Sequence, residues 1–294
     1  MKKRLSAILI IILLLGNVTR IELFPGRGYE EWLRISSRAD AATEVTIKSE
    51  KELVKILYQT LLNREEKIVI KHSLSDYRMD LNDLLTKIYA IDDENTAKDS
   101  DYLKYSLVRW GYSGTKIGKK TTLNFEFTYK TTLAEEKAVD KKVKSILQEL
   151  ELEGASDFEK VKKIHDYIIN RVSYDNSLEK ASAYDALIDK SAVCEGYSML
   201  AYRMFTQAGL KCKIIAGTGN GGSHAWNIVK VKDKWYNIDL TWDDPISSDK
   251  KPMLVYDFFL KNTKDFVDHK RSAEYKTEEF VKTYPISKTS YKLK

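Results

Sequence analysis

Two β-prone runs, residues 224–231 and 234–241, are separated only by Lys232 and Asp233. A two-residue connection closes an antiparallel hairpin and fixes its register. Val231 then faces Lys234, Asp239 faces Trp226, and His224 faces Thr241. Side chains alternate with period two, so His224 and Asp239 share one face of the hairpin. They are diagonal neighbours, with Cβ atoms about 7 Å apart or less. That is within reach of an imidazole–carboxylate hydrogen bond. A three-residue loop would send the two residues to opposite faces, and the turn carries Lys-Asp where Asn-Gly fits best. Asp239 also sits among Trp235, Tyr236, Ile238, Leu240 and Trp242. A carboxylate in such surroundings needs a partner, and His224 is the nearest by register.

A thiol lies upstream. Tyr197, Leu200, Ala201, Met204, Phe205 and Ala208 recur at helical spacing, with Gly209 as the residue that ends the helix. Cys194 therefore falls in or just before the first turn, where the helix dipole favours a thiolate. Taken alone, one cysteine reads as a buried packing residue. A thiol, an imidazole and a carboxylate together are the parts of a thiol acyl-transfer site. The other cysteine, Cys212, lies in a strand-like run and reads as a small inward-facing hydrophobe. With two cysteines in the chain, a disulfide scaffold is excluded.

The remaining patterns organise the chain. In residues 45–130, helices are expected at 50–62 and 76–90, strands at 67–71 and 121–131, and a polar loop at 92–101. This half carries no catalytic constellation, and His72 reads as a lone packed or surface histidine. A charged helix spans 134–152 and ends at Gly154. Ser156 and Glu159 form a capping box for a helix reaching Val172. His165 on that helix reads as a hydrogen-bonded structural histidine, and 174–176 as a turn. The glycine-rich stretch 217–222 lacks the Gly-Lys-Ser/Thr of a phosphate loop and reads as a mobile loop at the mouth of the site. Asp243 and Asp244, before Pro245, read as a turn rather than a metal pair.

The net charge is +6, but the lysines are scattered among acidic residues. No arginine-rich stripe with interleaved aromatics is present, which argues against nucleic acid as a partner. Met1-Lys-Lys-Arg4 followed by the apolar run Ala7 to Leu15 reads as a signal peptide. An uncleaved membrane anchor is the alternative.

Val193-Cys-Glu-Gly-Tyr197, His224-Ala-Trp-Asn227 and Trp235-Tyr-Asn-Ile-Asp-Leu-Thr-Trp-Asp-Asp-Pro245 resemble, in this order, the transglutaminase-like superfamily in its exported bacterial branch. The resemblance covers about residues 135–262. It implies an α+β, papain-like core, with a central helix carrying the cysteine at its N-terminus and packed on an antiparallel sheet. A small α+β unit precedes that core. The expected division is 1–20 leader or anchor, 21–44 linker, 45–133 N-terminal unit, 134–262 transglutaminase-like domain, and 263–294 a C-terminal segment packed on the core. The resemblance makes Cys194 the nucleophile, His224 the general base and acid, and Asp239 the orienting group. The backbone N–H of Cys194 would help bind an oxyanion. Tyr184, Trp226 and Trp242 are the candidates for further oxyanion or substrate contacts. No cofactor and no metal are implied. The partner is a protein or peptide substrate of the cell envelope or surroundings, and the location is secreted or cell-surface. The reaction passes through a Cys194 thioester, with hydrolysis favoured because no amine site that excludes water is evident. A non-catalytic surface-binding module is the competing reading.

Overall fold

The computed structural model describes residues 42–72, 83–91, 100–245 and 254–292. The expected leader at 1–20 lies outside them. Among the described residues no helix is long and apolar enough to cross a membrane.

The N-terminal half is built from β1 (Thr43–Thr46), α1 (Glu50–Leu62), β2 (Lys67–His72), α2 (Leu84–Tyr89), α3 (Ser100–Ser106), β3 (Leu107–Ile117) and β4 (Lys120–Tyr129). Its sheet runs β1-β2-β4-β3, with β1 and β2 parallel. Ser49 starts α1 by accepting the Glu52 N–H, and Leu53, Leu57 and Leu61 are buried along one face. They meet Leu123, Phe125 and Phe127, the inward positions of β4. Of the helix expected at 76–90, residues 76–82 lie outside the described residues and the rest begins at Leu84. Two expectations change here. The polar stretch expected as a loop to residue 101 runs into α3, which buries Tyr102 and Leu103. Strand β3 was not expected at all, because exposed Val108 and Ile117 blur its alternation. His72 is buried and packed.

The second half follows as α4 (Leu133–Glu149), α5 (Asp157–Ile169), β5 (Ser173–Tyr174), a π-helical turn at Asp185–Asp189, β6 (Ser191–Ala192), α6 (Cys194–Gln207), β7 (Cys212–Gly219), β8 (Gly222–Val231), β9 (Lys234–Ile238), β10 (His269–Arg271) and α7 (Glu278–Thr283). Thr132 with Glu135, and Ser156 with Glu159, form reciprocal capping boxes that start α4 and α5. The helical stripe expected to Val172 stops at Ile169, with Asn170 as cap. Helix α6 lies at the centre. Met199, Leu200, Met204 and Phe205 are fully buried between α4, α5 and the sheet. Full burial of each such side chain contributes about 1.5–3 kcal/mol. The α+β class and the papain-like arrangement of helix on antiparallel sheet are as expected.

The sheet order is β10-β7-β8-β9, antiparallel throughout. The β8–β9 register runs from Val231 opposite Lys234 to Asn227 opposite Ile238, the register that a two-residue turn dictates. Lys232 supplies the left-handed residue of that turn, at φ 53°. Strand β9 ends at Ile238, not at residue 241. Asp239 Oδ1 accepts the N–H groups of Thr241 (2.9 Å) and Trp242 (3.3 Å), a local turn that competes with the ladder. The glycine-rich stretch is also not a loop. Gly217 to Gly219 finish β7, and Gly219 pairs with Gly222 across a tight turn. A Cβ on Gly217 would lie 2.0 Å from the Lys270 carbonyl oxygen, so only glycine lets β10 lie where it does.

Strands β7 and β9, on either side of β8, are each stitched to further segments. Along β7, the Ile214 N–H is donated to Asp101 of α3 (2.9 Å). The Ala216 carbonyl accepts the Ser272 N–H (2.9 Å), and β10 covers Gly217 to Gly219. Along β9, Asn237 and Lys261 exchange two backbone bonds, and the Trp235 carbonyl accepts the Ser287 N–H.

Candidate active site

Cys194 is the first residue of α6 and is half-buried. Val193 before it is extended and gives the helix no capping side chain. The first-turn N–H groups of α6 therefore have no side-chain acceptor at the cap and are available to a ligand at the thiol. Ser198 Oγ donates to the Cys194 carbonyl at 2.8 Å. Asn227 of β8 in turn donates to the Ser198 carbonyl at 3.1 Å. This buried amide holds the histidine strand against the cysteine helix.

His224 lies between thiol and carboxylate. Its Nε2 is 2.6 Å from Asp239 Oδ2, and its side chain is 7% exposed. Burial works against a charged imidazole here. Hydrogen bonds and charges from Asp239 and from Cys194 outweigh it and push His224 up to about 9. With Nε2 committed to Asp239, Nδ1 is the nitrogen left for the thiol. Asp239 is 1% exposed. Burial disfavours its charge, but the bonds and charges of His224 and His269 hold it below the ordinary carboxylate value. Backbone proximity matters as well. A Cβ on Gly219 would lie 2.8 Å from Trp242 and 2.9 Å from the His224 ring, so a bare backbone is what lets both rings settle there.

The model of the transglutaminase-like superfamily matches residues 144–240. Those residues form a transglutaminase-like domain. Two curated relatives are similar to this chain in sequence. Human kyphoscoliosis peptidase is 28% identical over 154 residues, which cover 45% of this chain and 22% of the relative. The mouse protein of that name is 27% identical over 136 residues, 39% of this chain and 21% of the relative. The matched region thus spans about a fifth of either peptidase. A crystal structure described as a TGase aligns with a TM-score of 0.35 and 18% identity over 67% of this chain and 59% of the other.

The transglutaminase-like domain gathers Cys194, His224 and Asp239 at one place. Trp242 is half-buried and tilts against His224, with ring centroids 5.2 Å apart. Trp226 is 1% exposed and packs beneath His224, Phe266 and His269. It is a floor under the histidine and offers no face to a substrate, contrary to the expectation from the sequence. Tyr184 is half-buried against the main core beside the π-helical turn. Cys212 is buried and unbridged.

Two neighbours of the domain's site were not legible in its motifs. His269, on β10 beyond the matched residues, places Nε2 2.9 Å from the same Asp239 Oδ2. His224, Asp239 and His269 offer ligand atoms within 4.8 Å of one another. A cation there would have to displace both N–H···O bonds. The second neighbour is His165, which is fully buried with Nδ1 3.1 Å from Asp166 and Nε2 3.1 Å from Asp243. Burial opposes its charge, and the two carboxylates override that and raise it. Asp243 also accepts the Phe258 N–H at 2.7 Å, and Asp244 accepts the Tyr197 hydroxyl at 2.6 Å. The Asp243–Asp244 turn thus ties α5, α6 and Asp239 together, a structural role rather than a metal pair.

Proposed function

We propose that the protein is an acyl-transferring cysteine enzyme acting on peptide or glutamine amides, with Cys194 as nucleophile, His224 as general base and acid, and Asp239 as orienting group. One observation carries this reading: His224 bonds a buried carboxylate, and the half-buried thiol at the start of α6 is near enough to help hold its imidazole charged. An imidazole held protonated beside a thiol is the counter-ion of a thiolate.

The chemistry follows from these positions. The Cys194 thiolate adds to the amide carbonyl, and the oxyanion is received by the uncapped N–H groups of α6. Collapse breaks the C–N bond. His224 gives its proton to the leaving amine, and a thioester remains on Cys194. Water, or an amine in the transfer reaction, then attacks. His224 takes its proton, the C–S bond breaks, and the thiolate is restored beside the imidazolium. Asp239 keeps the ring oriented throughout. Hydrolysis is the favoured direction, since no built amine site accompanies the thiol. The basic start and apolar run at residues 1–15 support export, with a protein or peptide of the cell envelope as substrate.

The test is the rate of Cys194 alkylation by iodoacetamide in a Cys212→Ser background. At pH 6 the protein with His224 should label about tenfold or more faster than the His224→Ala variant. Equal rates would sink the reading and favour a non-catalytic binding module. Incorporation of a fluorescent amine into a glutamine peptide then separates transfer from hydrolysis.

A further inference from the structure

Asp239 is shared. Its Oδ2 meets His224 Nε2 at 2.6 Å and His269 Nε2 at 2.9 Å, while Oδ1 takes the N–H groups of Thr241 and Trp242. His269 is as buried as Asp239, each side chain being 1% exposed. Its other nitrogen, Nδ1, lies 2.7 Å from the Val267 carbonyl oxygen. Both partners of this ring are acceptors only. A neutral imidazole has a single N–H and would turn a lone pair toward one of them. Both bonds form together only when both nitrogens carry hydrogen, that is, when His269 is a cation.

The surroundings fit a cation. Phe266 (3.9 Å between ring centroids), Trp242 (4.2 Å), Trp226 (5.1 Å) and Phe258 (5.4 Å) enclose the ring, and aromatic faces attract positive charge. Among the described residues, the titratable groups in contact with His269 are Asp239 and, with ring centroids 5.4 Å apart, His224. Asp243, on the same turn as Asp239, is turned to His165 instead.

We propose that His269 is a positioning residue of this site, which fixes Asp239 through a second N–H donor and, as a cation, tempers the pull of that carboxylate on His224. The proposal rests on the reading of Cys194, His224 and Asp239 as the reacting groups. It makes the site a quartet of two anions, Asp239 and the Cys194 thiolate, and two cations, His224 and His269. It also makes a segment beyond the matched residues 144–240 part of the machinery. Without His269, Asp239 would act on His224 undiluted, so the imidazolium would give up its proton less readily to a leaving group.

The chain has four histidines, so nitrogen-15 NMR of histidine-labelled protein resolves each ring after assignment by single substitutions. In the unaltered protein at pH 7 the His269 ring is expected to show two protonated nitrogens. A single protonated nitrogen overturns the proposal, and this reading needs no variant. In His269→Gln, which keeps an N–H donor but removes the charge, His224 should titrate about half a unit or more higher. An unchanged His224 titration in a folded H269Q protein also overturns it. His269→Ala should add a loss of ring order at His224 that H269Q restores. Alkylation of wild type against His224→Ala judges the underlying reading separately. Equal labelling there removes the acyl-transfer reading, while the NMR result still decides whether His269 governs His224.

Discussion

Asp239 leaves the β8–β9 ladder one residue beyond its last pair, yet its Oδ2 lies 2.6 Å from His224 Nε2. The ladder sets the face and the Asp239 turn sets the reach. Replacing the carboxylate tests which groups hold the imidazole charged. In Asp239→Asn, His224 should fall from about 9 toward its ordinary value near 6.5, read by NMR titration. A value still near 9 would mean that Cys194 alone sustains the charge.

The same bond has a signature in stability. His224 is higher in the folded state than in the unfolded chain. Its contribution is therefore complete below about 6.5 and lost as pH rises through about 9. Urea midpoints of wild type and His224→Gln should differ most at pH 6 and converge by pH 10. A gap that stays constant across this range would assign the difference to packing.

Gly219→Ala places a methyl 2.8 Å from Trp242 and 2.9 Å from His224. The rings must shift, at a cost of about 1–3 kcal/mol. Cys194 alkylation is expected to slow about tenfold or more as His224 is displaced, while circular dichroism keeps the fold. Unchanged labelling would show that the ring has room to retreat.

Removing Asp243 leaves the buried His165 facing Asp166 alone. Asp243→Ala should cost about 3–5 kcal/mol in urea unfolding, and pairing it with His165→Leu should recover part of that loss. If the double variant is no more stable than the single one, the Phe258 N–H bond carries the effect rather than the ion pair.

The hairpin register, the start of α6 at Cys194 and the Ser156–Glu159 capping box of α5 could be read locally. Periodicity, turn length and capping chemistry act over a few residues, and each of these features depends on nothing more distant. What escaped was long-range. His269 follows Asp239 by a segment with no repeating pattern, and its role depends on Gly217 admitting β10. Trp226 was a candidate for substrate contact, but β10 and Phe266 roof it over. The glycine run was misread because glycine permits both a loop and a close approach of backbones, and only the neighbour decides between them.

Many proteins that handle peptides bind them as one more strand, using the unpaired N–H and C=O row of an outer strand. In the histidine sheet that row is already taken along β7 and β9. Asp101, Ser272 and β10 occupy the β7 side, and Lys261 and Ser287 occupy the β9 side. On the proposed reading, a substrate chain approaching along β7 or β9 would be recognised by its side chains. Selectivity there would rest on what fits around one amide rather than on a stretch of extended backbone, and neighbouring molecules are denied the β7 and β9 rows as a handhold for edge-to-edge association.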